Sequence, residues 1–360
     1  MKVLKYMVIY MLVLQLTLPY TVPLHSAYLY RMNYNLVKDN LDDIDVILDK
    51  ISQQIEKEQL QDYIIILGDS VAFSGPGSSN TSLGYYLENL AKHSNLRTPL
   101  RVFNLAMPGM QTGDVYTMLL KLDQHKISTD HVIFNLIYAG FVERDPSPSV
   151  VFWLKDDLHD LDIDSFNRVL PNLTANNYHY QQGLPILFNK MVQKNVALFA
   201  YRDLIYKYCS DVYYDVRFGR VPDDSLGDAG PWFNKSYLSE LLQEPEYQRD
   251  WSTKPFDMSS NNPQIYFLNK IIKHQDGKNT LVFLAAVNEK LLGDIVPLAD
   301  YSNNVAQIDN YFRNKPVKYV NMQGKIDQAL FSDWVHLTGA GYQELSKILW
   351  DNYDMGAQGQ

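Results

Sequence analysis

Two short patterns in this chain could do chemistry together. The first is Gly68-Asp69-Ser70, which follows the apolar run Ile64-Ile65-Ile66-Leu67. A serine hydroxyl is a poor nucleophile until a base takes its proton. The second is Asp333-Trp-Val-His336, which offers both missing parts. Histidine accepts a proton near neutral pH. A carboxylate beside it fixes the imidazole tautomer and stabilises the imidazolium. A separation of three residues lets one turn carry both side chains to one cleft. Each pattern alone is common. Glycine, aspartate and serine all favour turns, and Asp-x-x-His also suits a metal pair or a chance surface pair. A Gly-Asp-Ser at a strand end, with Asp-x-x-His before the final helix of the same sheet, is far more specific.

These residues need a scaffold. Residues 64–67 form an unbroken β-branched run, as in a strand buried on both faces of a parallel sheet. Gly68 allows a sharp turn, so Asp69 and Ser70 fall just beyond the carboxyl end of that strand, where open α/β sheets bind ligands. Further strands are predicted at 101–106, 131–137, 280–286 and 316–321. Helices are predicted after Thr81 or Ser82, over 114–122, and from Thr338 onward. Five strands alternating with helices imply a parallel sheet covered on both faces. Residues 34–60 carry apolar residues at helical spacing and read as a helical spacer on the domain edge.

The stretch between the third and fourth strands is much longer than a plain crossover needs, about 30 residues for the whole unit. It is therefore expected to form a mainly helical subdomain or lid, strongest over 187–208 and rich in aromatics over 213–262. Such aromatics either stack on sugar rings or pack a small irregular core. The expected division is a signal peptide or membrane anchor over 1–30 and the spacer over 31–61. The core follows over 62–144, the insertion over 145–263, the second part of the core over 264–352 and a tail over 353–360.

The amino terminus argues for export. Lys2 and Lys5 precede an apolar run from residue 6 to 18, and Pro19 follows. His25-Ser-Ala27 is an imperfect cleavage site. Extended to Leu24, the run approaches the roughly 20 residues that span a bilayer, and the leading lysines place the amino terminus inside and the bulk outside. A buried soluble helix is the remaining alternative. The net charge of −9, without a basic block, disfavours nucleic acid as a partner. One cysteine, Cys209, excludes an internal disulfide and is expected to be buried. Asp160-Leu-Asp162-Ile-Asp164 resembles the start of a calcium loop, but Ser165 and Pro171 stand where glycine and glutamate are needed, so a solvated acidic turn is expected. The chemistry requires neither metal nor cofactor.

The chain resembles the SGNH/GDSL hydrolase superfamily. The first block matches at Gly68-Asp69-Ser70, the second resembles Asn104-Leu-Ala-Met-Pro-Gly109, and the last matches at Asp333-Trp-Val-His336. The resemblance covers about residues 62–137 and 264–350. It implies a flavodoxin-like three-layer α/β/α fold, the triad Ser70, Asp333 and His336, and an oxyanion hole that includes the N–H groups of Ser70 and Gly109. The third block departs. The family has Gly-x-Asn-Asp after the third strand, with the asparagine donating to the oxyanion. Here Asn135 lies within the strand, and Gly140 is nearest in register with no side-chain donor. Asn288, after the fourth strand, is a second candidate to reach the cleft. Some surface-polysaccharide acetyltransferases and esterases of the superfamily alter the same block. The expected function is thus an exported, membrane-tethered or secreted serine esterase that acts on acyl groups, acetyl among them, of a cell-surface glycan, with lipid or small esters also open. O-acyl transfer to a polysaccharide is the rival within catalysis. A glycan-binding protein that kept the fold without activity is the rival outside it.

Overall fold

The computed structural model describes residues 2–94, 100–144, 147–181 and 183–353. The start of the expected insertion at 145–146, and the tail beyond 353, lie outside the described residues. Five strands, β1 (Tyr63–Leu67), β2 (Arg101–Asn104), β3 (His131–Leu136), β4 (Asn279–Leu284) and β5 (Lys318–Asn321), form one all-parallel sheet in the order β2-β1-β3-β4-β5. Helices cover both faces, so the fold is the three-layer α/β arrangement that the strand pattern implied. Every residue of β1 is buried. Side chains alternate across a strand, so Ile64 and Ile66 enter one core while Ile65 and Leu67 enter the other. The first core is closed by the helices Leu83–His93 and Gly339–Asn352, and the second by Thr112–Gln124 and Pro263–His274.

The first 60 residues differ from expectation. The apolar helix is Lys2–Thr21, and the chain beyond it is not a leader but part of the body. Val22, Ala27 and Met32 are buried. The Tyr28 hydroxyl donates to Val102 O (3.1 Å) and accepts from Asn104 N (2.7 Å), which covers the free edge of β2. The boundary near residue 30 therefore moves back to about 21. Residues 34–60 are not an edge spacer either. They form two helices, Tyr34–Val37 and Asp43–Glu58, and Ile44, Ile47, Leu48 and Ile51 of the second are fully buried. A stripe that wide needs a partner surface, and the sheet supplies it.

The insertion is mainly helical but not set apart. Phe166, Leu173, Leu204, Trp251 and Phe256 share one apolar cluster with β3 and the helix Thr112–Gln124. The stretch 187–208 breaks into Leu184–Asn195, Ala197–Ala200 and Arg202–Phe218. Of its aromatics, Trp251 and Phe256 stack about Tyr138, whereas Tyr214, Phe218, Phe233 and Tyr237 are exposed. Cys209 is exposed, not buried. Asp162 is no solvated turn residue. It caps the helix Ile163–Ala175 and accepts from Tyr116 Oη (2.8 Å) and Lys270 Nζ (3.0 Å).

Candidate functional site

Ser70 is the first residue of the short helix Ser70–Phe73, and Asp69 is its N-cap. The carboxylate of Asp69 accepts from Val71 N (2.8 Å), which holds the turn in place after β1. Gly68 makes the turn possible. Its φ is +131°, and a Cβ there would lie 1.9 Å from Asn135 Oδ1. That asparagine, inside β3, is what the departure in the third block conceals. Asn135 Oδ1 accepts from Asp69 N (3.0 Å), and its Nδ2 donates to Asp69 Oδ1 (2.8 Å). The buried amide therefore clamps the residue before Ser70. One sequence signal could have found it: a lone amide in the otherwise apolar run 132–137.

Asp333 and His336 sit in the loop before the helix Gly339–Asn352. Asp333 Oδ1 accepts from the N–H groups of Val335 (2.9 Å) and His336 (2.8 Å), leaving Oδ2 for His336 Nδ1 at 2.7 Å. His336 Nε2 then lies 2.8 Å from Ser70 Oγ. The three residues thus form one continuous hydrogen-bonded chain across a sequence separation of 266. Burial pushes the His336 imidazole down, but the Asp333 carboxylate beside it, together with the more distant Asp69, raises it above its ordinary value. Burial likewise pushes the Asp333 carboxyl up, and the charge and hydrogen bonds of His336 outweigh this and hold it low.

The loop is braced from the insertion. Lys235, buried, donates to Ser332 O (3.1 Å), Ser332 Oγ (2.8 Å) and Asp228 O (2.6 Å). On the other side, Arg31 is fully buried and donates to Phe73 O, Ser74 O and Gly77 O at 2.7–3.2 Å, while its guanidinium lies 4.1 Å from the centre of the Phe73 ring. It holds the chain that leaves the helix Ser70–Phe73. Neither basic residue belongs to a recognisable motif, because most of their partners are backbone carbonyls, the majority far away in sequence.

Gly109 lies where a parallel ladder runs out. Leu105 N donates to Ile66 O and Met107 N to Gly68 O, so the second block rides beside the first. Gly109 has φ +81° in the turn that follows. Among the described residues, no protein acceptor meets the N–H of Ser70 or of Gly109. Asp114, also buried, accepts from Gln111 N, Phe152 N, Trp153 N and Leu154 N at 2.8–2.9 Å, and Trp153 Nε1 donates to Pro108 O (2.8 Å). The start of the insertion is thereby fastened over the Gly109 turn.

The two remaining candidates separate. Asn288 does not reach the cleft. It is fully buried, its Oδ1 caps the helix Glu289–Leu292, and its Nδ2 donates to Asp333 O (3.3 Å), so it supports the triad loop. Gly140 ends a short turn and lines a narrow slot with Gly68, Asp69, Asn135 and Gln111. A wider surface cleft lies elsewhere, between the end of the amino-terminal helix and β2, and contains none of Ser70, Asp333 and His336. A Cβ at Gly140 would meet only Ile137 Cγ1, at 3.8 Å, and the backbone there is not left-handed. Gly140→Asn is therefore expected to fold. If it supplies a missing oxyanion donor, kcat/KM on p-nitrophenyl acetate should rise from a low wild-type value. One such donor is commonly worth about a hundred- to thousandfold, which sets the ceiling. A folded variant, by circular dichroism, that gains nothing over an already fast wild type would show that another residue fills the hole. No known family model matches the chain, and no curated protein matches it.

Proposed function

We propose that the protein is a serine ester hydrolase of SGNH/GDSL type that removes acyl groups, acetyl among them, from an extracytoplasmic glycan. The observation that carries this reading is the hydrogen-bonded chain Ser70–His336–Asp333 at the carboxyl ends of the strands. His336 Nε2 takes the proton of Ser70 Oγ as that oxygen attacks the ester carbonyl. The N–H groups of Ser70 and Gly109 receive the negative charge that develops on the carbonyl oxygen. His336 then returns the proton to the leaving alcohol, and an acyl-serine remains. Attack by water completes hydrolysis, whereas attack by a sugar hydroxyl completes O-acyl transfer through the same intermediate. The apolar helix Lys2–Thr21 is long enough to cross a membrane. With Lys2 and Lys5 on the inner side, the site faces outward, where acylated surface glycans lie. Release of acetate from acetylated polysaccharides, with and without an acceptor glycan, tests the substrate class and separates hydrolysis from transfer. A protein that neither releases acetate nor labels with a fluorophosphonate is a binder, not an esterase.

The raised His336 sets the pH dependence. Only the neutral imidazole can accept the serine proton, so kcat/KM should climb with pH and level off above a midpoint higher than the ordinary 6.5. Replacing Asp333 with asparagine should move that midpoint down. The charged pair also stabilises the fold fully below the unfolded value and fades as pH rises through the raised folded one. The active form is thus the less tightly held. A pH–rate profile on a neutral ester measures this, and a midpoint below 6.5 would contradict it.

A further inference from the structure

The amino-terminal helix is long enough to span a bilayer only if the body goes in with it. Val3–Thr21 is about 28 Å long at 1.5 Å per residue, close to the roughly 30 Å hydrocarbon thickness. Residues 3–13 are exposed all round. They account for only about 16 Å. Farther along, Leu14, Gln15, Leu18 and Pro19 form the face that packs on the body. The contact is specific. Gln15 Nε2 donates to Asn195 O (2.7 Å), and Ala197 N donates to Gln15 Oε1 (2.7 Å). Gln15 is six residues before Thr21, so the junction of the helices Leu184–Asn195 and Ala197–Ala200 sits about 9 Å below the outer end of the span.

What lies at that depth is apolar on its outer side. Leu184, Phe188 and Met191 are 83%, 65% and 58% exposed, at the i, i+4, i+7 spacing of one helix face, and Leu198 and Phe199 of the next helix are also exposed. The lysines of the same helix leave that face to pair with carboxylates of the body, partly exposed themselves, with Lys190 Nζ 3.1 Å from Asp156 and Lys194 Nζ 3.1 Å from Asp45. A water-facing helix keeps its large apolar residues in, whereas here three of them point out together. We propose that this helix pair is a membrane-docking face, seated among the acyl chains of the outer leaflet around the anchoring helix. The occupant is lipid because the helix pair is fastened through the Gln15 contacts to a helix of bilayer length, with its junction inside the depth of that helix. Amphipathic helices enter a bilayer to about 5–10 Å, which matches the 9 Å offset. The catalytic body is then held at fixed height and orientation, not swung on a flexible tether.

The proposal rests on the reading that Lys2–Thr21 spans a membrane, and one experiment separates the two. In a Cys209→Ser background, the full chain carries a single cysteine at Tyr10, Phe188, Phe199 or Lys347, labelled with the fluorophore NBD. Each protein is reconstituted into phosphatidylcholine–phosphatidylglycerol vesicles with doxyl-labelled lipid, and with iodide as the aqueous quencher. The labels at Phe188 and Phe199 should be quenched by doxyl lipid within about twofold of the label at Tyr10, as for an interfacial helix. They should also be shielded from iodide, while Lys347, on the opposite face of the sheet, behaves in the reverse way. Quenching at Tyr10 with Phe188 and Phe199 resembling Lys347 overturns the docking face and leaves the anchor standing. Absence of lipid quenching at Tyr10 as well overturns both. Shielding from iodide without lipid quenching at Phe188 and Phe199 overturns the bilayer in favour of a protein partner.

Discussion

Replacing Ser70 with alanine is expected to reduce ester turnover by roughly 10⁴-fold or more while leaving the fold intact. The side chain is half-buried, and its one hydrogen bond runs to His336 Nε2. No apolar contact of consequence is lost, so the unfolding midpoint should stay close to that of wild type. The nucleophile is the only group that can carry the acyl intermediate, which is why its loss outweighs that of any supporting residue. Fluorophosphonate labelling should disappear with it. Turnover by the alanine protein within about twofold of wild type would remove Ser70 from the mechanism, because loss of a triad nucleophile never costs so little. Labelling that persists in the variant would place the reactive serine elsewhere.

The largest stability effect should come from a methyl group at Gly68. The alanine Cβ would lie 1.9 Å from Asn135 Oδ1 and 3.2 Å from Ala72 Cβ, and φ +131° is strained for any side chain. Backbone strain and overpacking together put the cost on the order of 4 kcal/mol. Asn135→Ala alone should cost less, about 1–3 kcal/mol, since it leaves Asp69 N–H and one lone pair of its carboxylate without their buried partner. The double variant Gly68→Ala/Asn135→Ala removes the clash with the amide and keeps the strain and the lost hydrogen bonds. Its destabilisation should therefore fall clearly below the sum of the two singles. Urea unfolding of all four proteins measures the coupling. Additive costs would mean that the asparagine moves aside freely and does not clamp the nucleophile turn.

Some of this molecule could be read from residue order alone. A strand buried on both faces has to be apolar at every position, so Ile64–Leu67 announced a parallel sheet, and the other strands followed by the same rule. The triad was legible for a related reason. A nucleophile, a base and an orienting carboxylate are restricted to few residue types, and two local motifs held all three. The membrane-length helix was legible because length and apolarity are sufficient signals.

Other features depended on contacts that leave no local pattern. Residues 22–60 read as leader and spacer because amphipathic spacing does not say which surface it will meet, and only the sheet edge and the inner core decided that they belong to the body. Asn288 looked free to enter the cleft. Its side chain is consumed by a helix cap and the Asp333 carbonyl, an outcome set by the approach of β4 to a loop some 45 residues later. Arg31, Lys235 and Asp114 act through backbone groups of distant segments, and backbone groups are the same in every sequence. The sequence alone determined the sheet, the triad residue types and the apolar span, because local composition dictates burial and chemistry. Tertiary structure alone decided which polar side chains hold Ser70, Asp333 and His336 in place, and which face of the apolar helix packs on the body, because both depend on the partner that each surface finds.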